Sequence, residues 1–358
     1  MLSILYAMAR FKSLCTTEED CEKLVREIST IIDSDNFLSL IDFYTPYTPT
    51  RLKIALDQYK IDGDVDRLEE EVQARYLYDS NISGNIIVKD YPPLVHIELS
   101  PMCNYRCKFC FQQDEEHFKN MEFMSIDLFK IIIDQLEGNV PYITFSNRGE
   151  PTMNPHFIEM MEYCKGKFLD IKLNTNGSLL TKKKIEVILE TVNTLVFSVD
   201  SVKEYSKYRV NGNFEKVMSN IKMVHHMRKP HHKISTRVSG VHCGQEDDSK
   251  YFDGYVDQTS FIQYHPWREI YSLPIHQSKQ TCTEPFYRMY ILYDGTVNSC
   301  DIDYKAEIGK NFPKVSKDNS VKDVWNSHEL SRIRRLHVNG ERSCIHPCNR
   351  CPFPEAAG

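Results

Sequence analysis

No apolar run in this chain approaches the roughly 18 residues that a membrane-spanning helix needs. A basic excess is also missing. The formal net charge is −6 and the pI about 6.1, so nothing calls for nucleic acid as a partner. A secretion signal is missing too: in the opening Met1-Leu-Ser-Ile-Leu-Tyr-Ala-Met-Ala-Arg10 the positive charges, Arg10 and Lys12, follow the apolar stretch instead of preceding it. That stretch reads as a helix packed on the body. Cysteine, by contrast, is plentiful. Twelve thiols in a 358-residue chain without an export signal argue against a disulfide framework and for metal binding or catalysis in a reducing cytoplasm. With 41% hydrophobic and 26% charged residues the composition is that of an ordinary soluble protein, and the length allows one large domain with one or two smaller ones.

Three of the thiols are crowded together. Ser100-Pro-Met-Cys103-Asn-Tyr-Arg-Cys107-Lys-Phe-Cys110 has the spacing C-x3-C-x2-C. Iron–sulfur cubes normally take four cysteines, so three on one loop leave one iron without a protein ligand and free to bind something else. Zinc is the alternative, but it usually draws its ligands from two separated pairs. From residue 94 onward strands and helices alternate. Strands are expected at 94–99, 142–146, 171–174, 194–199 and 234–239, and helices at 126–136, 155–163, 182–191 and 214–227. Such alternation implies parallel strands with helical crossovers, and catalytic groups belong where those strands end. Residues 1–91 read as mostly helical. Thr16-Thr17-Glu-Glu-Asp-Cys21 looks like a cap and acidic first turn before Leu24, Ile28, Ile31 and Ile32 at helical spacing, and further helices are expected near Pro49 and Val65.

The expected strand ends carry further polar groups. Asn147-Arg148-Gly149-Glu150-Pro151 combines a glycine, which allows close backbone approach, with a carboxylate that can accept from an ammonium; a plain turn is the alternative reading. Asn174-Thr-Asn-Gly177 ends the third strand. Ser198 and Asp200 share one face of the fourth, where both can bond hydroxyl groups of a ligand. Arg209 can pair with a carboxylate or simply lie on the surface. Val241-His242-Cys243-Gly244 follows the fifth strand and places a thiol at the catalytic end. In the C-terminal third, Cys282, Cys300, Cys348 and Cys351 can complete a second, fully ligated cluster, or a four-cysteine zinc site; Cys344 is a nearby alternative ligand. Cys15, Cys21 and Cys164 read as inert buried thiols, and His225, His226, His231 and His232 around Pro230 as a surface loop.

C-x3-C-x-aromatic-C directly after a strand resembles the signature of the radical S-adenosylmethionine (SAM) enzymes. Gly295-x4-Cys300 after the Asp294-Gly295 hairpin, the run Ser320-Val-Lys-Asp-Val-Trp325-Asn and the closing Cys348-x2-Cys351 resemble the SPASM/twitch extension of that superfamily. The resemblance implies an α/β chain. Its parts are a partial (β/α)6 TIM-like barrel over residues 92–265, a helical N-terminal cap or recognition region over 1–91 and a small α+β cluster-binding extension over 266–358. It implies two [4Fe-4S] clusters and SAM as cofactors. SAM would lie on Gly149 and Glu150, near Asn174, with Phe109 beside the adenine, Ser198 and Asp200 on the ribose, and Arg209 on its carboxylate or on a substrate anion. Arg148 departs from the family's Gly-Gly-Glu pattern. The implied activity is SAM cleavage followed by hydrogen abstraction, with a reductant such as flavodoxin or ferredoxin, in a low-oxygen cytoplasm and away from membranes. The expected reaction is oxidation of a small polar metabolite of sugar or aminocyclitol type. The alternatives are a ribosomal-peptide maturase, which makes cross-links or thioethers or epimerises with Cys243 as donor, and a non-catalytic metal-binding scaffold.

Overall fold

Short runs of β-branched and aromatic residues form the strands that the alternation predicts, in a computed structural model that describes residues 88, 90–242, 248–263, 267–275 and 279–352. These residues lie within one unit, Val88–Gly358. The helices expected before residue 88, and Cys15, Cys21 and Cys243, lie outside the described residues.

The strands are β1 (Leu94–Ile97), β2 (Arg106–Cys107), β3 (Tyr142–Phe145), β4 (Asp170–Thr175), β5 (Thr194–Ser198), β6 (Arg209–Val210), β7 (Ser235–His242), β8 (Gln258–Gln263), β9 (Arg288–Ile291) and β10 (Val297–Asn298). Eight of them make one sheet in the order β10-β9-β1-β3-β4-β5-β7-β8. Six barrel strands, β1, β3, β4, β5, β7 and β8, run parallel. This is the partial (β/α)6 arrangement. Its last strand, β8, was not legible in the sequence.

The helices α1 (Ile126–Leu136), α2 (Phe157–Cys164) and α3 (Lys182–Thr191) fill the first crossovers. α4 (Tyr205–Tyr208) is one turn, and α5 (Phe214–Met227) precedes β7. Each long helix buries one stripe: Phe129, Ile132, Ile133 and Leu136 on α1; Ile185, Ile188 and Leu189 on α3; Val217, Ile221 and Val224 on α5. Ser125, Thr181 and Asn213 start them by accepting a backbone N–H three residues on. Side chains at Val95, Ile97, Ile143, Phe145, Leu173, Leu195 and Phe197 meet those stripes in one sealed core. Alternation therefore turns His96, Thr144, Lys172, Asn174, Val196 and Ser198 to the opposite face of the sheet, the barrel interior.

Two pairings have no sequence signature. The hairpin β9–β10, with its Asp294-Gly295 turn at Gly295 φ +82°, belongs by position to the C-terminal extension, yet β9 pairs in parallel with β1 and extends the barrel sheet. β2 and β6 form a separate antiparallel pair that ties the cysteine loop to the segment after β5. The extension continues through α6 (Glu284–Tyr287), α7 (Val321–Trp325), started by a Ser320/Asp323 capping box, and α8 (His328–Val338).

Candidate functional site

The three-cysteine loop leaves the end of β1 and is held from several sides. Gly149 is required by contact: a Cβ there would stand 2.3 Å from the Ser100 carbonyl oxygen and 2.4 Å from that of Met102. The Glu150 amide donates to Met102 O at 2.8 Å. Buried Gln112 donates to the carbonyls of Pro101 and Arg148, both at 2.7 Å, and so clips the loop to the end of β3.

Each sulfur of the loop accepts from a nearby N–H. The Tyr105 amide donates to Cys103 Sγ at 3.4 Å, the Gln112 amide to Cys110 Sγ at 3.5 Å and Arg209 Nη1 to Cys107 Sγ at 3.9 Å. Burial, with the Glu150 charge adding to it, pushes the Cys103 thiol up to about 12; burial raises Cys110 likewise to about 12. Burial also raises Cys107, with the Arg209 guanidinium pulling against it. Metal loading must therefore expel protons from this loop, and the aimed N–H groups favour the thiolates that result.

Glu150 is buried, and both its oxygens are engaged. Oε1 accepts from Thr152 Oγ1 at 2.5 Å and Thr175 Oγ1 at 2.7 Å, and Oε2 from the Asn176 amide at 2.7 Å. The carboxylate thus staples the end of β3 to the end of β4, and a lone pair on Oε2 remains for a further donor. Asn174 is half-buried, and among the described residues its Oδ1 has no partner; Asn147 Nδ2, buried at the end of β3, also has none.

Arg209 is neither a surface residue nor a free cation. It is 8% exposed and grips Asp200 at 2.6 and 3.1 Å, and its guanidinium lies 5.5 Å from the centre of the Phe109 ring. Asp200 also accepts from the Val241 amide at 2.8 Å. The pair thus joins the ends of β5 and β7 to Cys107. Ser198 stands half-buried at the end of β5, opposite Ser239 in the register.

A second tie was not foreseen. Arg148, which departs from the family's glycine, forms a bidentate ion pair with Glu98 at 2.6 and 2.5 Å, both side chains at most 3% exposed. Arg148 also donates to Tyr304 O at 3.2 Å, and Glu98 accepts from the Tyr293 amide at 3.2 Å. The barrel mouth is thereby bolted to the C-terminal extension. The available signal was a carboxylate inside the apolar run Leu94-Val-His-Ile-Glu-Leu99, which needs a buried partner.

The extension brings its four cysteines together. Cys282, Cys300, Cys348 and Cys351 line one cavity. Cys344 is exposed and does not line it. Arg342, 1% exposed, donates to the carbonyls of Cys348 and Cys351, which shapes the closing C-x2-C loop. Burial pushes the Cys282 thiol up to about 12 and raises Cys300 and Cys348 further, while Arg342 acts in the opposite sense on Cys282 and Cys348. Four converging thiols with a cation beside them are the donor set of a closed cluster.

The histidine loop is a different matter. His231 and His232 lie with Glu190 closely enough to hold a metal. However, His232 Nδ1 accepts from the Lys229 amide at 2.9 Å, so its proton sits on Nε2, aimed at Glu190 Oε1 3.2 Å away. That nitrogen is a hydrogen-bond donor, and Lys165 already pairs with the other Glu190 oxygen at 3.0 Å. Among the described residues no helix is long and apolar enough to cross a membrane.

Comparison with known proteins agrees with this geometry. Residues 97–249 match the radical SAM superfamily, and residues 282–352 match SPASM, an iron–sulfur cluster-binding domain. A tungsten-containing aldehyde ferredoxin oxidoreductase cofactor-modifying protein of Pyrococcus furiosus is 34% identical over 110 residues, which is 30% of either chain. The chain spans about 30% to 50% of the length of the curated relatives it matches first. Among solved structures, BtrN in complex with AdoMet and 2-DOIA superposes with a TM-score of 0.53 at 15% identity, covering 74% of this chain and 94% of that one. SuiB of Streptococcus suis bound to its precursor peptide SuiA gives 0.53 at 15% identity, covering 84% and 82%. Both likenesses concern the fold.

Proposed function

The chain belongs to the radical SAM superfamily and carries a C-terminal SPASM domain, with SAM and [4Fe-4S] clusters as its cofactors, and we propose that it oxidises a small polar metabolite at a carbinol carbon. When bound, SAM and the three-thiolate cluster supply a 5′-deoxyadenosyl radical for hydrogen abstraction, and the four-thiolate cluster supplies an electron acceptor. Cys103, Cys107 and Cys110 hold the first cluster, and Cys282, Cys300, Cys348 and Cys351 the second.

The chain's own groups divide the remaining work. Gly149 keeps the cysteine loop against the end of β3. Glu150, through its remaining lone pair, accepts from the SAM ammonium. Phe109 lies beside the adenine, and Ser198 bonds a ribose hydroxyl. Arg209, neutralised by Asp200, positions Cys107 and leaves anion binding to other groups.

The observation that carries the choice of substrate is the polarity of the barrel mouth. Ser146, Asn147, Asn174 and Ser198 stand at or next to the strand ends, Ser239 and Ser260 lie level with Ser198 in the register, and Asn147 Nδ2 and Asn174 Oδ1 are buried without partners among the described residues. Buried polar atoms without partners favour a ligand with hydroxyl or amino groups over an apolar one. The fold likeness to BtrN, whose structure holds AdoMet and 2-DOIA, supports the same choice. Peptide maturation is the second reading, favoured by the likeness to SuiB with its precursor peptide and to the subtilosin biosynthesis protein AlbA of Bacillus subtilis, 26% identical over 142 residues.

The test is anaerobic reconstitution followed by incubation with carbinol-deuterated polyols and aminocyclitols. Deuterium in 5′-deoxyadenosine, with one equivalent of ketone formed per SAM cleaved, is the expected result. Deuterium transfer only from a peptide would overturn this reading in favour of the second.

A further inference from the structure

The four-cysteine cavity contains two polar groups that the thiols do not explain. His337, on α8, is 1% exposed and lines the cavity. Its Nδ1 accepts the Cys282 amide at 3.3 Å. An imidazole nitrogen that accepts carries no proton, so the ring is neutral and its proton sits on Nε2. Nε2 is buried and has no partner among the described residues. It cannot itself be a metal ligand, because that would need the proton on Nδ1, where the Cys282 N–H points. Ser299, next to Cys300 and also 1% exposed, lines the same cavity, and its hydroxyl has no partner either. The carboxylates facing the cavity are otherwise engaged: Asp303 accepts from Tyr271 at 2.6 Å, and Glu284 pairs with Arg288 at 3.1 Å and accepts from Tyr290 at 2.9 Å. A buried N–H and O–H without partners are costly unless something in the cavity accepts from them.

We propose that His337 and Ser299 donate hydrogen bonds, through Nε2–H and Oγ–H, to sulfur atoms of the cluster held by the four cysteines, and so raise its reduction potential. The inference rests on the reading that this site holds a [4Fe-4S] cluster. A hydrogen bond to sulfur is stronger when the cluster is more negative, so it favours the reduced state. His337 and Ser299 are positioning residues: they tune the acceptor and touch no substrate.

The experiment uses the full chain with Cys103, Cys107 and Cys110 replaced by alanine, so that the only cluster signal comes from the second site. In this background, Ser299→Ala and His337→Phe are each titrated with dithionite and mediators and followed by electron paramagnetic resonance. Each substitution is expected to disfavour one-electron reduction about tenfold, a shift of about 59 mV to lower potential. In the parent, the reduced cluster should couple to exchangeable protons and, after 15N-histidine labelling, to one nitrogen; that coupling should vanish in His337→Phe. Ser299→Ala removes a single oxygen, so it keeps the test valid if the larger change disturbs folding. Four irons bound with unchanged potentials and no nitrogen coupling would overturn this inference alone. A background protein that binds zinc or no iron would overturn it together with the assignment of the second cluster.

Discussion

Replacing Arg148 with methionine should unfasten the barrel mouth. The guanidinium meets Glu98 in a fork of 2.5 and 2.6 Å, with both side chains at most 3% exposed. Two unit charges about 4 Å apart at an effective dielectric near 20 attract by about 4 kcal/mol. Removal of one partner from a buried pair typically costs about 3–5 kcal/mol, because the other is left charged in a dry site. Glu98 would keep only the Tyr293 amide among its described donors. For a unit of this size the loss corresponds to a drop in melting temperature on the order of 5–15 °C. The double variant Glu98→Leu with Arg148→Met removes both charges and should recover at least about 2 kcal/mol of the summed single losses, although Tyr293 N and Tyr304 O then lose their partners. Thermal melts of the cluster-loaded, full-length chain under anaerobic conditions measure all three. Hydrogen exchange should rise around residues 293–304, which the pair holds to β1. If Arg148→Met melts within about 2 °C of the parent, or the two losses simply add, the ion pair does not fasten the extension to the barrel.

Cys107→Ala should abolish SAM cleavage and lower bound iron from about eight to about four per chain; undiminished cleavage would refute the assignment of the open cluster. Cys348→Ala should halve the iron, whereas Cys344→Ala, at an exposed site off the cavity, should leave it unchanged, both read by iron and sulfide analysis. Gly149→Ala should empty the first site selectively, because its methyl would overlap the Ser100 and Met102 carbonyls and push the cysteine loop outward. Normal iron content and normal cleavage in that variant would show that the loop yields.

The strand–helix alternation was legible because each element carries its own period. The stripes on α1, α3 and α5 and the caps at Ser125, Thr181 and Asn213 lie where the spacing predicts. Both cysteine sets were legible because thiols at fixed spacing have few other uses. Long-range pairing was not. Nothing local in Arg288–Ile291 says that this strand will sit beside β1, because the choice depends on which edge is open after the chain has folded. Arg209 shows the same limit. Its partner Asp200 is nine residues away, and only the β2–β6 pairing brings it over Cys107. Arg148 looked like a flaw in a glycine motif, and Glu98 like a polar intruder in a strand. Each was visible alone, and together they are one ion pair.

Each cysteine set has an arginine beside it, and the two arginines are placed differently. At the first, Arg209 lies against Cys107, but Asp200 takes its charge in a bidentate grip, so the pair orients the sulfur while adding little net field. Cys103 and Cys110 there are half-buried, as are the four thiols of the second set. At the second, Arg342 donates to the carbonyls of Cys348 and Cys351, and its guanidinium acts on the thiols of Cys282 and Cys348 in the sense that favours the thiolates. A nearby cation favours the more negative state of whatever the thiols hold. The field of Arg342 and the donors on His337 and Ser299 act in the same direction, toward the reduced form. A site built only to hold the extension together would have no use for that bias, whereas one that accepts an electron would.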